Sequence, residues 1–384
     1  MVLTKEQWLS ENGALSARDR ELLSRAYDVL KGNTVATPDA PWAPHKCISP
    51  WINEMTGIWN WDTAFHAMAT SRYDTGLAKD CLNGFMKFQL EDGMFPDVVF
   101  LSGNVVDDFT KPPVLPWATL TVYERDGDKE FLRDAYERFV RNERFWVERR
   151  MVNGLFHYSS EGTPEVVAKD NYLHARYESG WDNSPRWDSP VIDYWPIDLN
   201  CFMITFYRSM AKIAEHLGED GGKWAEKAAL QTERTLATLW DEGQGVFVDR
   251  NFKTGEFSRV ITPASFMPLF IGIATKEQAA AMHKVGADPA RFYPGMPSVS
   301  YDDPTYSEGY WRGPTWLNLA YFATKGMKNY GFEQTANEMR EFLLDMIYES
   351  DGIYENYNSK ERKGLYWHSF SWSACFVIEF ILNW

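Results

Sequence analysis

The sequence is poor in the residues that build redox and metal centres. Its four cysteines, Cys47, Cys81, Cys201 and Cys375, are widely spaced and form no C-x-x-C pair, which argues against a zinc ribbon or a dithiol motif and leaves buried free thiols as the reading. Seven histidines make no H-x-x-x-H pair, and the acidic turns Asp126-Gly127-Asp128 and Asp302-Asp303 lack the spaced oxygens of a calcium loop. No metal or cofactor is expected. A glycine-rich phosphate loop is missing too, which speaks against phosphoryl transfer. There is no positive surplus: a formal net charge of -15 makes nucleic acid an unsuitable partner, since phosphate neutralisation needs a basic face. No apolar run approaches a membrane span, and the start MVLTKEQWLSENGALSARDRELL has no apolar leader core. A cytoplasmic protein with no membrane partner is the expectation, and no oligomer is indicated.

Aromatic residues are plentiful, with 17 Trp, 19 Tyr and 24 Phe in 384 residues. Many fill core, but several stand beside carboxylates and glycines, where flat rings suit the apolar faces and hydroxyl edges of sugars. Hydrophobic spacing is mostly helical. In SARDRELLSRAYDVLKGN, Ser16 reads as a cap and Leu22, Leu23, Ala26 and Leu30 share a face. About eleven such stretches follow one another to the final SFSWSACFVIEFILNW. The connections alternate between short Gly-centred turns and long loops rich in Trp, Pro and Asp. Helical hairpins closing into a ring would place the long loops together at one end. The expected fold is all-α, an (α/α)6 toroidal barrel, with short β-hairpins in the long loops from GVFVDR, MFPDVVFLSGN and GLFHYSS. Residues 1–45 form a lead and first helix packed on the barrel, and 46–384 the barrel, one domain overall.

The densest polar cluster is YESGWDNSPRWD, residues 177–188. Glycosidic hydrolysis needs one carboxylic acid to protonate the leaving oxygen and one carboxylate to activate water or attack. Asp182 lies between Trp181 and Asn183 after a Ser-Gly turn, where indole burial would help it hold a proton. Glu178 competes for the role.

ESGWDNSPRWD resembles the signature of glycoside hydrolase family 63 and, more loosely, of trehalases. WNWDTAFHAMA (59–69), QLEDGMFPDVV (89–99), KPPVLPWA (111–118), YWRGPTW (310–316) and YENYN (354–358) follow in the order of that family. The resemblance implies Asp182 as general acid and Glu355 as general base of an inverting, exo-acting α-glycosidase. By itself Glu355 reads as an exposed turn carboxylate, before a helix, paired with Lys360 or Arg362. The resemblance also implies a sugar pocket built from Trp59, Trp61, Asp62, Gln89, Gly93, Trp181, Asn183, Arg186, Trp311, Arg312, Trp316, Tyr357 and Trp372. Several of these have structural readings as well: Asp62 as a helix cap, Arg186 and Arg312 as braces of the site. His368 and Trp372 are placed at the start of the last helix. Arg186, Arg176 and Tyr194 are candidates for a carboxylate-bearing leaving group.

The chain has no room for the extra β-rich domain of larger relatives and most resembles the compact bacterial branch with mannosylglycerate and glucosylglycerate hydrolases. A small α-glucoside or α-mannoside, glucosylglycerate, mannosylglycerate or an α-linked disaccharide, is the expected substrate. The alternatives are a lyase or epimerase on the same barrel, which would abstract a proton through His, Tyr or Lys, and a carbohydrate-binding protein without turnover.

Overall fold

The computed structural model describes residues 2–158, 174–188 and 193–384. All eleven expected helices form, and each begins for a local reason where a cap is present. Ser16 accepts from the Asp19 N–H, Asp74 from Leu77 and Asp128 from Phe131, satisfying amides that a helix N-terminus leaves open. The Asp126-Gly127-Asp128 turn is therefore a junction: Gly127 ends one helix with φ 70, Asp128 starts the next, and Lys79 bridges both carboxylates at 2.8 Å.

The helices form antiparallel neighbours. Asn60–Thr70 packs on Thr75–Met86, Leu115–Asp126 on Lys129–Arg149, Ile197–Leu217 on Gly222–Leu239, and Leu317–Asn329 on Glu333–Glu349. Met267–Phe270, which the sequence reading missed, precedes Lys276–Gly286. Ser371–Leu382 packs on Ala17–Gly32. The first-named helices also touch one another in order, and Ser371–Leu382 returns to contact Asn60–Thr70.

Burial separates the two sets. Ten of the eleven residues of Asn60–Thr70 are buried, against nine of the twenty-one of Lys129–Arg149. A helix buried all round lies inside, and one with a single apolar stripe faces water. The four cysteines are free and buried.

Connections from inner to outer helices are short, and those from outer to inner are long and carry the strands. Val98–Phe100 pairs with Gly57–Trp59 and Val105–Val106, and Val246–Phe247 with Trp240–Asp241. Leu155–Phe156 pairs with Met151–Val152, while the last two residues of the expected GLFHYSS strand lie outside the described residues. Three pairings were not anticipated: Thr34–Val35 with Cys47–Ile48, Tyr194–Trp195 with Arg250–Asn251, and the hairpin of Tyr354–Asn358 with Lys363–His368. Glu355 thus sits on a strand rather than before a helix, His368 ends the partner strand, and the last helix starts at Ser371. Among the described residues no helix is long and apolar enough to cross a membrane.

Candidate active site

At the N-terminal ends of the inner helices a cavity of about 530 Å³, its open mouth included, is lined by Asp182 and Glu355 together. Trp59, Trp61, Trp311, Trp316 and Trp372 form its aromatic walls, and Asp62, Asp97, Lys111 and Tyr310 supply polar groups. Trp311 and Trp316 stack with ring centres 3.6 Å apart and planes 6° from parallel. Trp61 lies 4.8 Å from Trp372. The buried indole N–H groups of Trp311 and Trp372 have no partner among the described residues, and a sugar hydroxyl is a suitable acceptor for such donors.

The loop bearing Asp182 is fixed from behind. Residues 174–179 are helical. Ser179 Oγ donates to the Arg176 carbonyl and accepts from the Trp181 N–H and the Trp187 indole. Gly180 follows at φ +76, and a Cβ there would lie 2.3 Å from the Trp61 ring. Only glycine permits both the left-handed backbone and that approach, so the motif holds its glycine for packing. Glu178, the competitor for catalysis, is fully buried and receives Arg150 Nε at 3.1 Å and the Thr110 N–H at 3.2 Å. It anchors the loop and does not line the cavity.

The second half of the motif is structural as well. Arg186 was expected at the sugar; it is buried instead between Asp198 and Asp249, at 2.8 Å from each, with its guanidinium against Trp181 and Trp187. Asn183 accepts the Trp311 N–H at 2.8 Å and donates to the Gly309 carbonyl, tying the Asp182 loop to the YWRGPTW segment. Arg312 completes that seam with a two-pronged contact to Asp188. Trp181 packs 5.3 Å from Trp311 as backing.

Gln89, Gly93 and Tyr357 are likewise absent from the lining. Gln89 donates to the Gly93 and Arg138 carbonyls and accepts from Arg141. A Cβ on Gly93, at φ +96, would meet the Arg141 carbonyl oxygen at 2.3 Å. Tyr357 is buried, its hydroxyl accepting the Tyr354 N–H. Of the candidates for an anionic leaving group, Arg176 donates to the Trp187 carbonyl, and Tyr194 sits in a strand pair with Asn251; neither lines the cavity.

Glu355 is 2% exposed, not the exposed turn carboxylate of the bare reading; Arg362 pairs with Glu349. The hairpin register shifts between Tyr354 and Asn356, leaving Tyr366 and Trp367 opposite Glu355, with Tyr366 at φ 59. Such a bulge re-aims a side chain. Tyr310 donates to Glu355 Oε1 at 2.8 Å, and the Thr315 and Tyr357 backbones exchange hydrogen bonds that fasten the strand to the same loop.

Electrostatics follow burial. Desolvation lifts the Asp182 carboxyl to about 6, Lys111 opposing and Asp97 adding to the rise. Glu355 is pushed up to about 7 by burial, against the Tyr310 hydroxyl and the Trp367 amide, which favour its charged form. Asp62 rises to about 8, burial again leading. It is the third residue of its helix, whose cap position is Trp59, so it faces the cavity and does not cap. Sequence reasoning missed Trp51, Asp97, Lys111, Tyr310 and Phe370 as lining residues; Asp97, Lys111 and Tyr310 lie inside motif blocks already recognised, which was the available signal. No histidine lines this cavity among the described residues, and no group of three or more potential metal ligands occurs among them.

Two carboxyls of raised pKa lining one aromatic cavity on a helical scaffold suit a glycoside hydrolase. The chain belongs to the family described as the mannosylglycerate hydrolase MGH1-like glycoside hydrolase domain, which it matches over residues 55–373. It is 25% identical to a mannosylglycerate hydrolase of Thermus thermophilus over 83% of this chain and 93% of that one. Identity to the mannosylglycerate hydrolase of Rubrobacter radiotolerans is 23%, over 85% and 90% of the two chains. A similar solved structure is a family 63 mannosylglycerate hydrolase, also of Thermus thermophilus, in complex with Tris and D-glycerate. The TM-score is 0.79 at 22% identity, covering 93% of this chain and 99% of that one.

Proposed function

We propose that this glycoside hydrolase is an inverting, exo-acting α-glycosidase that removes one glucosyl or mannosyl unit from a small α-glycoside, with Asp182 as general acid and Glu355 as general base. The observation that carries the reading is the convergence of these two distant residues, Glu355 buried and Asp182 half-buried, both raised in pKa, on one aromatic cavity. Asp182 gives its proton to the glycosidic oxygen as the bond to the anomeric carbon breaks. Glu355 takes a proton from water, whose oxygen bonds to that carbon from the opposite face. An inverting pair needs about 6.5–9.5 Å between carboxyls to hold this water. A sugar seated against Asp182 removes its remaining water and lifts its carboxyl further, while the Tyr310 hydrogen bond favours the ionised form of Glu355 that the base requires, opposing burial, which holds the group at about 7.

Asp62 serves as a hydroxyl ligand, and Trp59, Trp61, Trp311, Trp316 and Trp372 as sugar platforms. The names of the relatives favour mannosylglycerate or glucosylglycerate, with an α-linked disaccharide as the other candidate. We read the fold as one (α/α)6 toroid, residues 46–384 supplying all of it but the outer helix of the sixth hairpin, which is Ala17–Gly32 of the N-terminal lead. The return contact between Ser371–Leu382 and Asn60–Thr70 supports closure. Four free thiols suit a reducing cytoplasm.

The test is a panel of α-linked disaccharides, glucosylglycerate and mannosylglycerate, with the first-formed sugar anomer followed by NMR. A β-anomer released from an α-linked substrate is expected. An α-anomer as first product overturns inversion, and full activity in Asp182→Asn or Glu355→Gln overturns the roles.

A further inference from the structure

The KPPVLPWA motif brings Lys111 to the catalytic cavity, a residue with no role in the proton transfers above. It is the only lysine or arginine among the described residues of the lining. Its side chain is almost wholly buried. The ammonium lies 3.0 Å from Asp97 Oδ1 and donates to the Tyr177 carbonyl. Tyr177 opens the segment that ends at Asp182. The neighbours of Lys111 grip the same segment: the Phe109 ring stacks on Tyr177 with centres 5.6 Å apart, and the Thr110 N–H donates to Glu178.

From this geometry we infer that Lys111 is a positioning residue of the hydrolysis, fastening the acid-bearing loop through the Tyr177 carbonyl and supplying the positive charge beside which the carboxyls of the cavity coexist. This rests on the assignment of Asp182 as the acid.

Asp62 reaches the cavity from helix Asn60–Thr70, Asp97 from the approach to strand Val98–Phe100, and Asp182 from the loop after residues 174–179. Glu355 comes from the bulged strand, paired with the Tyr310 phenol. Behind the loop, Glu178 is paired with Arg150. Lys111 is the leading opponent of burial for both Asp62 and Asp182, whereas the named influences on Glu355 are burial, Tyr310, Trp367 and Asp182. Its charge therefore acts on one side of the cavity.

Removing a nearby cation raises the pKa of a carboxyl by about one unit or more. A general acid works while protonated, and the seated sugar lifts Asp182 further, so the alkaline limb of kcat against pH, which reports the substrate complex, moves up. The acid limb, set by the base, stays in place. Lys111→Gln retains an N–H donor for the Tyr177 carbonyl without the charge, and Lys111→Arg retains the charge.

The experiment measures pH profiles of kcat for the full chain and these two variants on the best substrate of the panel, with Asp182→Asn run alongside and folding checked by circular dichroism. Expected results are an alkaline limb about one unit higher in Lys111→Gln and a limb within a few tenths of wild type in Lys111→Arg. Lys111→Gln that loses rate with both limbs unmoved, or that matches wild type throughout, overturns the inference. If Lys111→Gln does not fold, Lys111→Arg decides: a limb shifted despite the retained charge overturns it, and an unshifted limb supports it. Activity surviving in Asp182→Asn overturns the acid assignment instead, so the two failures are told apart.

Discussion

The Tyr310 phenol donates to Glu355 Oε1 over 2.8 Å, while Oε2 of the same carboxylate is buried without a partner among the described residues. One oxygen is oriented by the phenol, and the other faces no donor side chain among the described residues. This is the asymmetry a general base needs, since the water it activates must approach from a single direction.

Tyr310→Phe removes the donor and keeps the ring. A hydrogen bond to a charged group is worth about 1.5–3 kcal/mol, and its loss disfavours the ionised form of Glu355. The proposed base works while ionised, so the acid limb of kcat, which reports the substrate complex, moves upward by about one unit, with activity at neutral pH reduced about fivefold. A pH profile decides: an acid limb that stays in place would show that the phenol does not hold the base.

Gly180→Ala tests whether the glycine of the acid motif is there for packing. The new Cβ would lie 2.3 Å from the Trp61 ring at a φ of +76. Left-handed backbone strain alone costs of order 1–3 kcal/mol, and the clash adds to it by displacing either Trp61 or the loop. A lowered unfolding midpoint with a fall in kcat is expected. Unchanged stability and kcat would mean that the loop has slack.

Arg186 lies between Asp198 and Asp249 with almost no exposure. Arg186→Leu leaves two buried carboxylates facing each other without a cation, and breaking a buried pair in this way costs about 3–5 kcal/mol. Denaturant unfolding should show the loss, and Arg186→Lys should recover only part of it, because a lysine cannot span both carboxylates with a planar fork. A normal midpoint combined with a raised KM would return Arg186 to the substrate site.

These cases show where the sequence was legible. Helices with clear caps and long apolar periodicity, such as Ala17–Gly32 behind Ser16, were readable because local signals and tertiary burial agree. Met267–Phe270 was not, since Pro263 and Pro268 break the short stretch into a 3-10 turn and a single helical turn. The hairpin carrying Glu355 was hidden for a related reason: its bulge interrupts the two-residue alternation that identifies a strand. Motif blocks located the site but did not sort its residues by role. Asp182 and Arg186 stand four positions apart, yet one reaches the cavity and the other braces the scaffold. Only the long-range partners Asp198 and Asp249 reveal the difference.

Asp62 joins the site to the stability of the whole chain. Burial lifts its carboxyl from 3.8 to about 8. Between those values the folded protein binds a proton that the unfolded chain has released, so stability falls as pH rises through the window from about 4 to about 8. Asp62→Asn is nearly isosteric and neutral at every pH, and removes that slope. The variant should therefore gain on wild type as pH increases, with an unfolding midpoint higher by about 2 °C or more at pH 8 and little difference near pH 4, while its affinity for the sugar product falls. Thermal unfolding across this range, with product binding measured in parallel, provides the check. A variant less stable than wild type at pH 8 would mean that Asp62 is ionised in the fold and held by Lys111, and that its carboxylate supports the structure as well as the sugar.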